Sequence, residues 1–204
     1  MEPPQKRIYK LAVMGGGGVG KSCLTTRMLH NKYMETYDPT IEDFYYKENF
    51  MVDGEPTNME ILDTAGQDNV IGTRDQYYKN AEGFLFVYSV SDSLSMKDVE
   101  DRIQGMKTAR GIPDNTELPP TIIIGNKCDL PTADDQSKGE VRKVSRSDGE
   151  ELARNYGVFF EETSAKADIN VKKVFEDIVR ELKDQERKIL FKPKKKSKKR
   201  CTIC

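Results

Sequence analysis

The sequence predicts an α/β fold in which a mostly parallel six-stranded sheet has one antiparallel edge strand and helices on both faces. Short apolar runs alternate with segments of helical periodicity, which is typical of parallel strands joined by helical crossovers. Most of these runs are apolar at nearly every position, as strands buried on both faces should be. An Asp-Gly pair at residues 53–54 separates two strand-like segments and indicates a tight antiparallel hairpin at one edge.

The apolar runs place the strands along the chain. They are predicted at residues 8–14, 44–52, 59–62, 83–90, 121–125 and 158–160. The second and third of these flank the Asp-Gly pair and form the hairpin. Because ligand loops gather at the carboxyl ends of parallel strands, the residues that follow these strands are the candidates for a functional site.

Helices are predicted between the strands. One helix has apolar residues at helical spacing at Met96, Val99, Ile103 and Met106. A second helix, with Asn170 as its N-cap, shows the spacing more clearly, at Val171, Val174, Phe175, Ile178, Val179 and Leu182. Between these two, Ser147 and Glu150 form a capping-box pattern ahead of Leu152.

Length and charge indicate one domain with a basic tail. The 204 residues suffice for a single domain, which we expect at residues 1–187, followed by a flexible tail at residues 188–204. Residues 192–204 carry seven Lys or Arg side chains and no acid, whereas the rest of the chain carries 26 basic and 34 acidic groups. Since the folded body is acidic, the charge argues against a nucleic-acid-binding protein.

The expected compartment is the reducing cytosol. No apolar run approaches the ~18 residues needed to span a membrane. Residues 1–7 lack the apolar region of a signal peptide. The four cysteines show no metal-binding spacing, and a disulfide framework is not expected in this context.

A phosphate-binding loop follows the first predicted strand. Residues 15–22 read Gly-Gly-Gly-Gly-Val-Gly-Lys-Ser, the Walker A spacing. Glycines let successive backbone N–H groups approach phosphate oxygens closely. Lys21 adds a positive charge for the β- and γ-phosphates, and the Ser22 hydroxyl can ligate Mg²⁺. The helix that begins near Lys21 directs its positive end at the same anion.

A carboxylate follows the third strand, in the segment Asp63-Thr64-Ala65-Gly66-Gln67. At a strand end, Asp63 can hold Mg²⁺ through water, because Mg²⁺ gives up its hydration reluctantly. Gly66 leaves its N–H free to approach a γ-phosphate. In a chain that also has the Walker A spacing, this segment favours a nucleotide site over an ordinary turn.

Two further motifs follow the fifth and sixth strands. Asp129, in the segment Asn126-Lys127-Cys128-Asp129, can accept hydrogen bonds from guanine N1–H and the 2-amino group, which adenine lacks. Asn126 can tie this segment to the base or to the phosphate-binding loop, and the Lys127 stem can cover the ring. The segment Ser164-Ala165-Lys166 is expected to offer a backbone N–H to guanine O6 and to support Asp129.

With these four motifs in this order, residues 6–187 resemble the Ras family of small GTPases. The resemblance implies the P-loop G-domain fold, GTP and GDP as ligands with Mg²⁺, and hydrolysis that is slow unless a GTPase-activating protein supplies an arginine. Residues 37–43 look like the family's effector loop, switch I, and residues 66–79 look like switch II. Gln67 favours Ras over the similar Rap proteins, which usually lack this Gln.

The resemblance also implies roles for single residues. Gln67 would orient the attacking water, and Lys21 would stabilise charge on the phosphoryl oxygens. Thr40 would ligate Mg²⁺ together with Ser22 and, through water, Asp63. The implied nucleotide-binding residues are Gly15, Gly17, Gly18, Val19, Gly20, Lys21, Ser22, Cys23, Tyr33, Tyr37, Pro39, Thr40, Gly66, Asn126, Lys127, Asp129, Ser164, Ala165 and Lys166.

Three features depart from the family pattern. Tyr33 stands where a Phe usually packs edge-on against guanine, and Val70 replaces a Tyr that is common in switch II. The segment 131–143 is several residues longer than in typical Ras proteins. We expect that segment to be a solvated loop.

The C-terminal tail predicts a membrane anchor. Cys201 begins a Cys-aliphatic-aliphatic-X ending, a prenylation signal, and the basic residues 192–200 supply a second, electrostatic signal for an anionic membrane. A nuclear-localisation signal or a merely solvated tail is the alternative. The resemblance implies a monomer at the cytoplasmic face of the plasma membrane, where the two switches contact exchange factors, GTPase-activating proteins and effectors.

Two rival functions stay open on the sequence alone. One is an ATP-using P-loop protein, against which Asn126 and Asp129 argue. The other is a scaffold that binds GTP without cycling, against which Gly17 and Gln67 argue.

Overall fold

The fold was determined as a computed structural model, which describes residues 7–33, 42–65, 71–132 and 139–190. Within those residues a six-stranded sheet has the order β2-β3-β1-β4-β5-β6, and only β2 runs antiparallel to its neighbour. The predicted fold class is confirmed. The elements in chain order are β1 (Ile8–Met14), α1 (Lys21–His30), β2 (Glu42–Val52), β3 (Glu55–Thr64), α2 (Ile71–Asn80), β4 (Gly83–Ser89), α3 (Ser93–Arg110), β5 (Thr121–Asn126), α4 (Arg146–Tyr156), β6 (Phe159–Thr163) and α5 (Val171–Leu190).

The sheet is covered on both faces by helices. Leu11 and Val13 of β1 pack into a core with residues of α1 and α5, whereas Ala12 and Met14 belong to a second core with residues of α2, α3 and α4. All seven residues of β4 and all six of β5 are buried. Because side chains alternate across a strand, a strand between two helical layers is mostly apolar, and the buried polar residues Ser89, Thr121 and Asn126 lie at strand ends.

The hairpin between β2 and β3 turns at the predicted Asp-Gly pair. Asp53 and Gly54 both have positive φ, 52° and 82°, as a two-residue turn of this kind requires. Before the turn, β2 carries a bulge at Asn49, whose backbone N–H donates to Asn58 Oδ1 at 3.1 Å. The hairpin is joined to α5 by a two-pronged ion pair between Arg180 and Asp53, at 2.8 and 2.9 Å.

The prediction of the α4 cap was wrong by two residues. Ser145 is the N-cap, with its hydroxyl accepting from the Asp148 N–H at 3.2 Å and its own N–H donating to Asp148 Oδ2 at 2.9 Å. Glu150 instead pairs with Arg146, one helical turn earlier, at 2.9 Å. Two overlapping Ser-x-x-acid patterns occur here, and Ser145 takes the cap because its extended backbone allows the reciprocal bonds.

Other strand boundaries also differ from the predictions: β3, predicted at residues 59–62, spans Glu55–Thr64. The sixth strand continues to Thr163 because Glu161 and Glu162, which break the apolar run, are both paired: Lys173 contacts Glu161 at 2.6 Å and Arg142 contacts Glu162 at 2.6 Å. Helix α5 ends at Leu190, and the domain boundary expected at residue 187 stays a prediction. Asn170 precedes α5 as predicted, but its side-chain amide donates to the Glu162 carbonyl at 2.9 Å.

Tyr88 of β4 is buried without a hydrogen bond. Its side chain is fully buried, and within the described part of the chain its hydroxyl has no hydrogen-bond partner. A Cβ at Gly149 or Gly125 would lie only 2.4 or 2.8 Å from the hydroxyl oxygen. The glycines on α4 and β5 therefore make room for a hydroxyl that burial leaves unsatisfied.

We expect Tyr88→Phe to raise the free energy of unfolding by about 1 kcal/mol, because it removes a buried unsatisfied polar group with little change in shape. The measurement is the urea unfolding curve of the wild type and each variant in the same buffer. Tyr9→Phe is the matched control, since the Tyr9 hydroxyl donates to Glu186 Oε2 at 2.9 Å and its loss should destabilise by a similar amount. A destabilised Tyr88→Phe variant would mean that its hydroxyl is satisfied after all.

Candidate functional site

Close packing forces glycine at two positions of the loop between β1 and α1. A Cβ at Gly15 would lie 2.1 Å from the Val87 carbonyl oxygen of β4. Gly20 has a φ of 95°, and a Cβ there would lie 2.4 Å from Asn126 Nδ2. No side chain caps the first turn of α1, because its N-cap residue is Gly20. The positive end of the α1 dipole attracts an anion to this turn.

Lys21 is fixed inside this loop. Only 5% of the residue is exposed, and its Nζ donates to the carbonyl oxygens of Gly15 and Gly16, at 2.9 Å each. The loop thus wraps around its own ammonium group. A buried cation held by carbonyl oxygens is poised to attract an anion such as a phosphate.

Asp63 is a buried carboxylate at the end of β3. It is fully buried, and neither carboxylate oxygen has a hydrogen-bond partner among the described residues. Burial raises the pKa of Asp63 to about 6, although the nearby Ser22 hydroxyl and Lys21 ammonium act in the opposite direction. Such an orphaned carboxylate beside a hydroxyl is a donor set that suits Mg²⁺ and its bound water. The residues present therefore fit a magnesium site.

Asn126 joins the phosphate-binding loop to two other segments. Its Nδ2 donates to the Val19 carbonyl at 2.9 Å. Its Oδ1 accepts from Thr163 Oγ1 at 3.1 Å and from the Ala165 N–H at 3.4 Å. The sequence left open whether Asn126 contacts a base or the phosphate-binding loop, and the observed contact is with the loop.

Arg27 of α1 holds the segment 164–166 from the other side. Its Nε donates to the Ala165 carbonyl at 2.8 Å and its Nη2 to the Lys166 carbonyl at 3.1 Å. The sequence analysis missed Arg27, because the contact links positions 138 residues apart and no local pattern marks it. Ser164 uses its hydroxyl to accept from the Ala167 N–H at 2.8 Å, a bond that tightens the same turn.

The other predicted residues lie around this assembly in different environments. Gly17, Gly18, Tyr33, Asp129 and Lys166 are exposed, and Cys23 is partly buried. Lys127 has a left-handed backbone, with a φ of 67°, and its Nζ contacts Glu140 Oε1 at 3.2 Å. Several predicted residues lie outside the described part of the chain: Tyr37, Pro39, Thr40, Gly66, Gln67, Val70, Cys201 and the basic run 192–200.

The structure thus assembles one site at the carboxyl ends of β1, β3, β5 and β6. The phosphate-binding loop, Asp63, Asn126 and the segment 164–166 meet there, which is the arrangement expected of ligand loops on a parallel sheet. The buried cation of Lys21 and the orphaned carboxylate of Asp63 give it one group for an anion and one for a metal ion. This site can bind a phosphorylated ligand with a divalent cation.

Comparisons with known proteins agree with this arrangement. A sequence model described as the Ras family matches residues 10–184. A Ras-like protein of Laccaria bicolor is 42% identical over 177 residues, which is 87% of this chain and 78% of that protein.

We expect Arg27→Lys to speed the release of bound guanine nucleotide about five- to tenfold, because the shorter ammonium loses the forked contact with the segment 164–166. The measurement is the dissociation rate of fluorescent GDP in excess unlabelled GDP. Arg154→Lys, an exposed change on α4, is the matched control and should leave the rate unchanged. Equal rates in both variants would contradict a role for Arg27 in holding the site together.

Proposed function

We propose that this chain, which belongs to the Ras family of small GTPases, is a membrane-anchored signalling switch that binds effectors in its GTP-bound state. The contact network of Asn126 is the observation that carries the proposal, since it joins the phosphate-binding loop to the segment that would contact the base. A protein that only needed to bind phosphate would gain nothing from that link. A switch needs both ends of the nucleotide held.

Base recognition is assigned to Asp129, with Lys127 beside it. The exposed Asp129 carboxylate is available to accept from guanine N1–H and the 2-amino group. Adenine presents neither donor, so an ATP-using protein would leave this carboxylate unpaired under the base. This favours guanine and argues against the ATP-using alternative.

Ser22 and Asp63 would hold Mg²⁺, Asp63 through water, and by family resemblance Thr40 would complete the set. When bound, Mg²⁺ neutralises charge on the β- and γ-phosphates. The buried Asp63 carboxylate, which has no partner among the described residues, is the observation that supports this assignment.

The reaction would be in-line attack of water on the γ-phosphate of GTP, giving GDP and phosphate. Lys21 and the loop N–H groups would stabilise charge on the phosphoryl oxygens, and Gln67 would orient the water. No arginine occurs in switch I to serve as an internal arginine finger. Hydrolysis is therefore expected to be slow until a GTPase-activating protein inserts an arginine beside Gly17.

The output would be a change in the two switches. Thr40 and Gly66 are the residues whose N–H groups would contact the γ-phosphate, so its loss would release both segments. Effectors and regulators would thus distinguish GTP from GDP through residues 37–43 and 66–79. We propose that the protein acts in this way as a monomer.

The proposed function predicts that the full-length protein, freshly purified and then denatured, releases one guanine nucleotide per chain, mostly GDP. Chromatography of the released nucleotide is the measurement, with nucleotide-free buffers excluding uptake during purification. GTP alone would favour the scaffold that does not cycle, and adenine nucleotide would overturn the proposal.

Gln67→Leu tests the hydrolysis step. This variant should retain GTP in a single-turnover assay with a GTPase-activating protein, where the wild type loses it.

Membrane anchoring rests on the tail. A prenyl group on Cys201 would give only marginal binding, and the seven basic residues of 192–204 would add electrostatic attraction to an anionic leaflet. Among the described residues, no helix is long and apolar enough to cross a membrane. On the strength of the Cys201 ending and the basic run of the tail, we propose lipid anchoring at the cytoplasmic face of the plasma membrane.

Cys201→Ser should move the full-length protein from the membrane fraction to the soluble fraction of cells, because the lipid attachment atom is lost. Fractionation and fluorescence imaging measure this. Cys128→Ser serves as the control, since Cys128 is partly buried, lies far from the tail in sequence and is not among the implied nucleotide-binding residues. Membrane retention of Cys201→Ser would refute the lipid anchor, and accumulation of the wild type in the nucleus would support the localisation-signal alternative.

A further inference from the structure

Glu140 contacts the predicted nucleotide site through Lys127. Its Oε1 accepts from Lys127 Nζ at 3.2 Å, and the Ser91 hydroxyl donates to the same oxygen. Ser91 is itself buried and shares a 2.7 Å hydrogen bond with Ser89 at the end of β4. The Glu140 carboxylate thus accepts hydrogen bonds from Ser91, which follows β4, and from Lys127, which follows β5.

The residues that follow Glu140 are anchored firmly to the fold. Arg142 forms two hydrogen bonds with Glu162 of β6, at 2.6 and 3.1 Å, and its N–H donates to the Pro131 carbonyl at 2.8 Å. The N–H groups of Lys143 and Val144 both donate to the Val90 carbonyl, at 2.8 and 2.9 Å. Glu140 lies two residues before this anchor, so its position relative to the end of β5 is restricted.

The restricted position of Glu140 in turn restricts the side chain of Lys127, which contacts it. A lysine side chain has several rotatable bonds and loses rotamer entropy when one conformation is selected. Its left-handed backbone sets the direction in which the stem leaves β5, and Glu140 sets where the ammonium ends. The backbone and the Glu140 contact therefore restrict the stem at both of its ends.

We propose that Glu140 is a positioning residue that presets the Lys127 stem along one face of the bound guanine. This inference rests on the proposed function, since it assigns Glu140 a positioning role at that same nucleotide site. Both side chains are partly exposed, so the pair is worth a modest amount. Its effect should therefore appear in the lifetime of the bound nucleotide while the fold is unaffected.

The test is the dissociation rate of fluorescent GDP from full-length Glu140→Gln in Mg²⁺ buffer. We expect release about two- to fivefold faster than from the wild type, with the difference shrinking at 0.5 M salt (roughly a 4 Å Debye length). Glu117→Gln, an exposed change on another loop, is the matched control and should leave the rate unchanged. GDP and IDP should be affected alike, because the stem covers the ring face and does not contact the 2-amino group.

A Lys127→Met background separates positioning from general support of the loop. Lys127→Met keeps the aliphatic stem without the charge, so Glu140→Gln should have no further effect on the release rate there. An unchanged rate for Glu140→Gln in the wild type, or an equal acceleration in the Lys127→Met background, would overturn the proposal. Failure of the proposed function is distinguishable, since a protein that binds no guanine nucleotide would show no signal in any variant.

Discussion

The buried amide of Asn126 is the interaction on which the functional end of this protein depends. It lies at the end of β5 and bonds to the loop after β1, to the end of β6 and to the backbone of Ala165. The loop after β1 and the segment at the end of β6, which are distant in sequence, are therefore joined by one side chain. Gly20 must be glycine partly because a Cβ there would collide with this amide.

Beside that amide, the site carries a carboxylate that the described part of the fold leaves unsatisfied. Asp63 is buried with a raised pKa and no hydrogen-bond partner among the described residues. A buried charge reduces stability unless it is paired. A ligand that brings a divalent cation to Asp63 would compensate this carboxylate, so binding and stability should be coupled.

The rest of the fold is built to hold these loops in place. Two apolar cores, one on each face, fix the central strands β1, β4 and β5. Surface ion pairs such as Arg180–Asp53 and Lys183–Glu55 tie the hairpin to α5, yet their exposed partners make each of them worth little. Stability therefore comes mainly from the cores, which leaves the loops at the strand ends free to carry polar groups.

The sequence by itself determined the fold class, five of the six strands to within a few residues, the Asp-Gly turn and the four motifs, because each of these is encoded in local periodicity or spacing. Tertiary structure decided which groups meet. The contacts of Arg27 with Ala165, of Glu140 with Lys127 and of Asn126 with Val19 join residues 13 to 138 positions apart and leave no local signal. It also decided that β6 includes Glu161 and Glu162, since Lys173 and Arg142 reach these carboxylates only in the folded chain. The cap of α4 was a choice between two local patterns, and the extended backbone of Ser145 decided it.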